Sequence, residues 1–536
     1  MAVATYATDL IDITLCDSGS FFEFSGYTSG TLQTVPERDY FLQDASGNNT
    51  GGCVASTCKT TLNSIGFDYG SGITVPTDGA VLFWQVCWVP NSMESFANGG
   101  QRCFIGTTLS AFKGWKSGGN DYSPNPYGGW KNVAIDPTVT ADYTTGATTT
   151  YNVFGIGLYL PTTYPSKGAM LGMDALRYGR CELRVAVGDS GTPATFTEMA
   201  AANDALATRW GLFQTVSGGF LWKGLVTLGY GSAVYFVDQN KSILLDDCPR
   251  VGAAFTKIDI QDSGSTVLMT NCLFQALGTT TRGSWVTTDD ATVTLDACTF
   301  IDMNTFSFLP GTTVLGSTFR RTNAITAGGA TMTESRVEAS SVAADSSALI
   351  WNVATDPNGY LDEMYFSKGA LSHHAIELGT TSPLDITLTD VTFSGFTNTI
   401  GSSAAPLHIK RTGGTVTISL SGCSGITEDG YKSDGATVEI SQSVPLSIKV
   451  IDDATGLDLQ YARVYLVDEA TRAIVIMSAE TNSSGLATGS YTGSTPLNVT
   501  GWVRQWDLSG DDYTPKDISG EITGNGLSMT VRLSPI

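Results

Sequence analysis

Ser265-Thr-Val-Leu-Met-Thr-Asn-Cys-Leu-Phe274 and Asp290-Ala-Thr-Val-Thr-Leu-Asp-Ala-Cys-Thr-Phe300 repeat one pattern at one offset. Val267, Met269, Cys272 and Phe274 align with Val293, Leu295, Cys298 and Phe300, each 26 residues further on. Apolar residues at alternate positions mark a short strand with one buried face. Polar residues then interrupt the alternation before the Cys and the Phe. Strand, polar kink and renewed apolar positions, repeated at a fixed period, are what a parallel β-helix requires. Each coil stacks its inward side chains on the coil below, about 4.8 Å away. These eight residues are the expected core ladder.

The same pattern recurs in Thr313-Val-Leu-Gly-Ser-Thr-Phe319, Ala330-Thr-Met-Thr-Glu-Ser-Arg-Val337, Leu384-Asp-Ile-Thr-Leu-Thr-Asp-Val-Thr-Phe393 and Gly414-Thr-Val-Thr-Ile-Ser-Leu-Ser-Gly-Cys423. The apolar ends at 300, 319 and 337 lie 19 and 18 residues apart. Coils of roughly 18 to 26 residues are therefore expected through 219–443, forming a right-handed parallel β-helix. The rhythm fails between Glu338 and Pro383, where irregular coils or a longer excursion are expected.

Residues 1–218 read differently. Ile11, Ile13 and Leu15 alternate with polar neighbours, and Leu82, Trp84, Val86 and Trp88 share one face of a strand whose other face holds Val81, Phe83 and Cys87. Thr195 and Glu198 have capping-box spacing ahead of Met199, Ala202, Leu206 and Trp210, so one short helix is expected near 196–210. The remainder suits an N-terminal β-sandwich of jelly-roll or concanavalin-like type. From 444 to 536, strand patterns alternate with the turns Asn482-Ser-Ser-Gly485 and Gly524-Asn-Gly526. That predicts an Ig- or transthyretin-like sandwich, and the whole chain is all-β.

Composition narrows the function. A net charge of −22 without a Lys/Arg cluster argues against nucleic acid as a partner. The N-terminus lacks a signal-peptide pattern, and no apolar run approaches the roughly 18 residues of a membrane span, so a chain made in a host cytoplasm is expected. Ten cysteines occur without CxxC pairs or neighbouring histidines, so neither a metal nor any other cofactor is expected. Cys53 and Cys58 are close enough to bridge across a loop, with reduced thiols the default for a cytoplasmic product.

Gly128-Gly-Trp-Lys-Asn-Val-Ala-Ile-Asp-Pro137, Ser166-Lys-Gly-Ala-Met-Leu-Gly-Met-Asp-Ala-Leu-Arg-Tyr-Gly179, Arg209-Trp-Gly-Leu-Phe213 and Ala297-Cys-Thr-Phe-Ile-Asp-Met303 resemble a family of uncharacterised bacteriophage structural proteins. The last domain is similar to carboxypeptidase-regulatory and transthyretin-like modules. Together these resemblances imply a non-enzymatic virion protein, a capsid decoration or tail appendage. Its implied partners are copies of itself, as a homotrimer, and other capsid or tail proteins. The alternative is a receptor-binding tailspike that binds or depolymerises bacterial surface polysaccharide.

Such an enzyme needs paired carboxylates. Asp289, Asp290, Asp296, Asp302, Asp362 and Glu363 are the candidates, and all fall where solvated turn residues are expected, so no catalytic residue is assigned. Adjacent His373 and His374 point to opposite faces of a strand and cannot easily share a metal; with His408 they read as exposed or coil-capping. The loop 114–130 carries Trp115, Asn120, Asp121, Tyr122, Tyr127 and Trp130 among flexible glycines, a candidate contact for a glycan or a neighbouring subunit.

Overall fold

A computed structural model describes residues 4–536 except 15, 17–19, 28–32, 36–52, 58–61, 76–79, 89–100, 117–130, 136, 139, 147–149, 160–169, 181, 205–211, 246–255, 278–282, 494–495, 506–512 and 524–525. The fold is all-β with large parallel sheets, and one helix lies among the described residues. Packing separates two units, residues 1–294 with 298–305 and residues 295–297 with 306–536.

The first unit opens with two six-stranded antiparallel sheets. One centres on Met170–Gly179 between Ala80–Trp88 and Cys53–Thr57, the other on Tyr151–Tyr159 between Leu62–Ile73 and Gln101–Thr108. Alternation sends Ile65, Cys103, Ile105, Trp115, Phe154 and Ile156 into the shared core with Leu171 and Met173. On the outer side of the second sheet, Phe24, Phe104 and Phe112 form a further apolar layer. Gly155 makes that layer fit: a Cβ there would stand 2.1 Å from the Ile65 carbonyl and 2.7 Å from the Phe24 ring.

Parallel pairing begins before the repeat is legible in sequence. Glu182–Ala186 pairs antiparallel with Thr5–Thr8 on one side and parallel with Leu225–Leu228 on the other. The N-terminal strand thus covers the exposed edge of the first rung. Lys257–Ile260 and Ser284–Thr287 continue this face. A second face runs through Gly219–Trp222, Ser242–Leu245, Leu273–Ala276 and Thr299–Ile301. The helix Phe196–Asp204 is capped by Thr195, whose Oγ1 accepts the Glu198 N–H at 3.1 Å. A buried acid completes that cap: the Asp238 carboxylate accepts the Phe196 N–H at 2.8 Å, and burial pushes its pKa up.

Val267, Met269, Cys272, Phe274, Val293, Leu295, Cys298 and Phe300 are all buried. Phe274 pairs with Phe300 in register, and their rings stack at 5.2 Å. Cys272 and Cys298 form no disulfide, and their thiols lie in hydrogen-bonding contact.

In the second unit the coils lengthen without losing register. Phe319 pairs with Val337, Val337 with Phe366 and Phe366 with Phe393, offsets of 18, 29 and 27 residues. The irregular stretch after Glu338 therefore stays in the coil, and its extra residues go into turns such as Pro357–Tyr360. The strand Thr437–Asp452 pairs parallel with Thr415–Ser421 as far as Ser443. It then enters the terminal sandwich between Leu486–Thr492 and Leu527–Leu533. Val475–Glu480, Ala462–Asp468, Leu497–Gln505 and Lys516–Ile522 form the facing sheet.

Candidate functional site

Along Ala462–Asp468, alternation places Ala462, Val464 and Leu466 in the sandwich core and leaves Arg463 and Tyr465 on the outer face, with Tyr461 just before them. Cross-strand register adds their neighbours. Arg463 lies opposite Glu480 on one side and Arg504 on the other, and Tyr465 lies between Ser478 and Trp502. These residues line an open cleft of about 420 Å³. Its floor is aromatic: the Tyr465 and Trp502 rings stack at 5.3 Å with a 20° tilt. Its rim is polar. Arg463 donates to Glu480 at 3.2 Å and to the Ser478 hydroxyl at 2.8 Å, and the Arg504 guanidinium sits 4.4 Å above the Trp502 ring. Tyr461 is 65% exposed and adopts a positive φ of 64°, which few non-glycine residues accept. A flat aromatic floor with hydrogen-bonding edges suits a pyranose ring, whose C–H face stacks while its hydroxyls bond sideways.

A second grouping lies on the coil in the same unit. His374 and His408 are fully buried, with ring centroids 4.5 Å apart. Each faces a carboxylate, His374 Nε2 with Asp345 at 3.2 Å and His408 Nε2 with Asp434 at 3.0 Å. Lys432 bridges to Asp345 at 2.5 Å, and Lys410 stands 3.5 Å from Asp434. Glu377 pairs with His408 in register, and His408 in turn with Lys432, so the charges form a row across neighbouring strands. The Ala405 carbonyl accepts from His374 Nδ1 at 2.8 Å. His408 Nδ1 is buried without a hydrogen-bond partner. His373 is committed structurally: Nδ1 donates to the His374 carbonyl and Nε2 accepts the Gly369 N–H. Burial pushes both His373 and His374 to lower pKa. Lys432, and after it His374, hold the Asp345 carboxyl below the usual range.

Several expectations change here. All three histidines are buried rather than exposed, and His374 and His408 lie on neighbouring parallel strands of the stacked sheet. Trp115 is not a surface contact: it is wholly buried on the strand Ala111–Lys116 in the N-terminal core. Asn120, Asp121, Tyr122, Tyr127 and Trp130 lie outside the described residues, as does Cys58. Asp289 and Asp290 are exposed at a turn, where Asp289 accepts the Asp262 N–H, and Asp362 accepts the Gly359 N–H. Asp302 and Glu363 occupy left-handed corners. No group of three or more His, Cys, Asp or Glu among the described residues is arranged to hold a metal. The cleft residues escaped sequence reading, although Tyr461-x-Arg463-x-Tyr465 and Trp502-x-Arg504 carry a usable signal: aromatics on the polar face of a strand.

No family model and no curated protein matches the chain. Among solved structures, the catalytic domain of a GH87 α-1,3-glucanase in complex with tetrasaccharides is similar over 83% of this chain and 89% of its own, with 9% identity and a TM-score of 0.18. The expectation of a non-enzymatic virion component finds no support in this comparison, where the structure matched is a glycoside hydrolase domain. At that TM-score the likeness assigns neither a reaction nor a residue, so the function is argued from the sites above.

Proposed function

We propose that the chain acts on polysaccharide, holding a glycan in the cleft of its C-terminal sandwich. The stacked Tyr465–Trp502 floor framed by Arg463, Ser478, Glu480 and Arg504 carries this reading. Aromatic rings contribute stacking area at little entropic cost, and the flanking groups give direction to the bonded hydroxyls. Affinity electrophoresis through gels containing single polysaccharides tests it. The intact chain should be retarded by at least one glycan, and Trp502→Ala with Tyr465→Ala should migrate as in a glycan-free gel. Equal migration of wild type in every gel would refute the reading.

The paired carboxylate–imidazole groups of the charged row favour cleavage as a second activity. Asp345, Glu377 and Asp434 supply acids beside His374 and His408, the kind of grouping that general acid–base chemistry uses. Release of reducing ends or loss of viscosity from a bound glycan should disappear in Asp434→Asn and Glu377→Gln. Turnover unchanged in both variants would place cleavage elsewhere.

A further inference from the structure

We infer that the glycan recognised by the cleft is acidic, and that Arg504 binds a carboxylate carried on its sugar ring; this rests on the polysaccharide reading above. Arg463 and Arg504 are Cα partners on adjacent strands, so two positive charges stand directly opposite each other. Like charges in that position cost a sheet stability. Glu480 neutralises Arg463 at 3.2 Å. Among the described residues, no carboxylate lies within ion-pair distance of Arg504, whose guanidinium rests instead on the Trp502 ring. Asp517 sits across from Trp502 on the neighbouring strand and makes no ion pair with Arg504.

The cleft is therefore one positive charge in excess, on a chain whose net charge is −22. An arginine already stacked on an aromatic ring has lost part of its conformational freedom and presents its N–H groups as a fork. A carboxylate matches that fork with two parallel hydrogen bonds, and bound there it also relieves the Arg463–Arg504 repulsion. The adjacent Tyr465–Trp502 surface then receives the ring that bears the carboxylate.

The test uses the full chain with polygalacturonate, alginate, hyaluronate and polysialic acid, each beside its carboxyl-reduced form, and with carrageenan as a sulfated, carboxylate-free polymer. Binding to an acidic polymer should fall by about tenfold on carboxyl reduction and by a similar factor in Arg504→Gln, with Arg504→Lys intermediate. Unchanged thermal melting of the Arg504 variants separates lost binding from lost folding. Equal affinity for an acidic polymer and its reduced form, or for carrageenan, overturns the carboxylate inference and leaves the polysaccharide reading standing. Absence of binding to every polymer, acidic and neutral, overturns the reading itself.

Discussion

The corner of each coil is a single residue with positive φ. Asn240, Asn271, Ala297, Gly316, Glu334, Glu363, Asp390 and Gly422 all adopt the left-handed conformation. After each of these corners except Asn240 the next residue turns inward, and Ser317, Ser335 and Cys272 there bond the carbonyl two positions back. Ser317 does so at 3.2 Å, Ser335 at 2.9 Å and Cys272 at 3.6 Å. This explains why a cysteine or serine follows the kink in so many repeats. Glycine or asparagine tolerates the corner, whereas alanine pays for its Cβ. Ala297→Gly should therefore raise stability, by about 1 kcal/mol in chemical denaturation, once the extra freedom of glycine in the unfolded chain is set against the relieved strain. Phe300→Ala should cost about 3–5 kcal/mol, because the ring stacks on Phe274 and meets Trp285 edge-on at 6.1 Å, leaving a cavity that neither neighbour can fill. The inward ladder was readable from periodicity, since each position repeats in sequence. The environment of His374 was not, because Asp345, Ala405 and Lys432 come from other coils.

Coils in this protein are elastic in length while their strands stay in register. Residues added between Val337 and Phe366 leave the inward positions paired, because the turns absorb them. A sequence reading that seeks a fixed period loses the β-helix there, although the fold does not. The longer turns also bring Asp345 to His374 and Lys432, which tie together strands well separated along the chain. This element should respond to acid. Burial first, and for His373 the charge of Lys368 as well, holds the folded-state pKa values of His373 and His374 below those of the unfolded chain. The unfolded state therefore takes up protons first, near pH 6.5, and stability falls as pH drops through that value and on towards the folded pKa. The Asp345 carboxylate adds stability that persists above about pH 3.9 and is lost only in stronger acid. Calorimetry should show the melting temperature falling by roughly 2–4 °C between pH 7.5 and pH 5.5, with a flatter dependence in His374→Asn. Parallel slopes for the two proteins would remove His374 from the cause.

At the scale of the whole molecule, the terminal sandwich has a core of its own. Val444, Leu446, Ile448, Val464, Leu466, Val499, Val503, Val531 and Leu533 pack together, although their first strand grows directly out of the last coil. A fragment spanning 444–536 should accordingly melt in one cooperative transition and show the same glycan retardation as the full chain, checked by circular dichroism and affinity electrophoresis. A noncooperative melt would show that the module depends on the coil that precedes it. All the residues that line the cleft belong to this module, which is why the fragment is expected to carry the site with it.

The sequence by itself determined the stacked coils and the all-β character, because inward positions must be apolar on every turn and so repeat along the chain. It also carried the cap at Thr195, which depends on residues three apart. Only the tertiary structure decided where chemistry gathers. Tyr465 meets Trp502, and Arg463 meets Arg504, through cross-strand register, and His374 meets Asp345 through the length of a turn. Register and turn length bring together residues tens of positions apart, and no local pattern records which of them will touch. The structure also withdrew Trp115 from the surface, because the aromatic that looked like a loop anchor falls on the inward side of its strand.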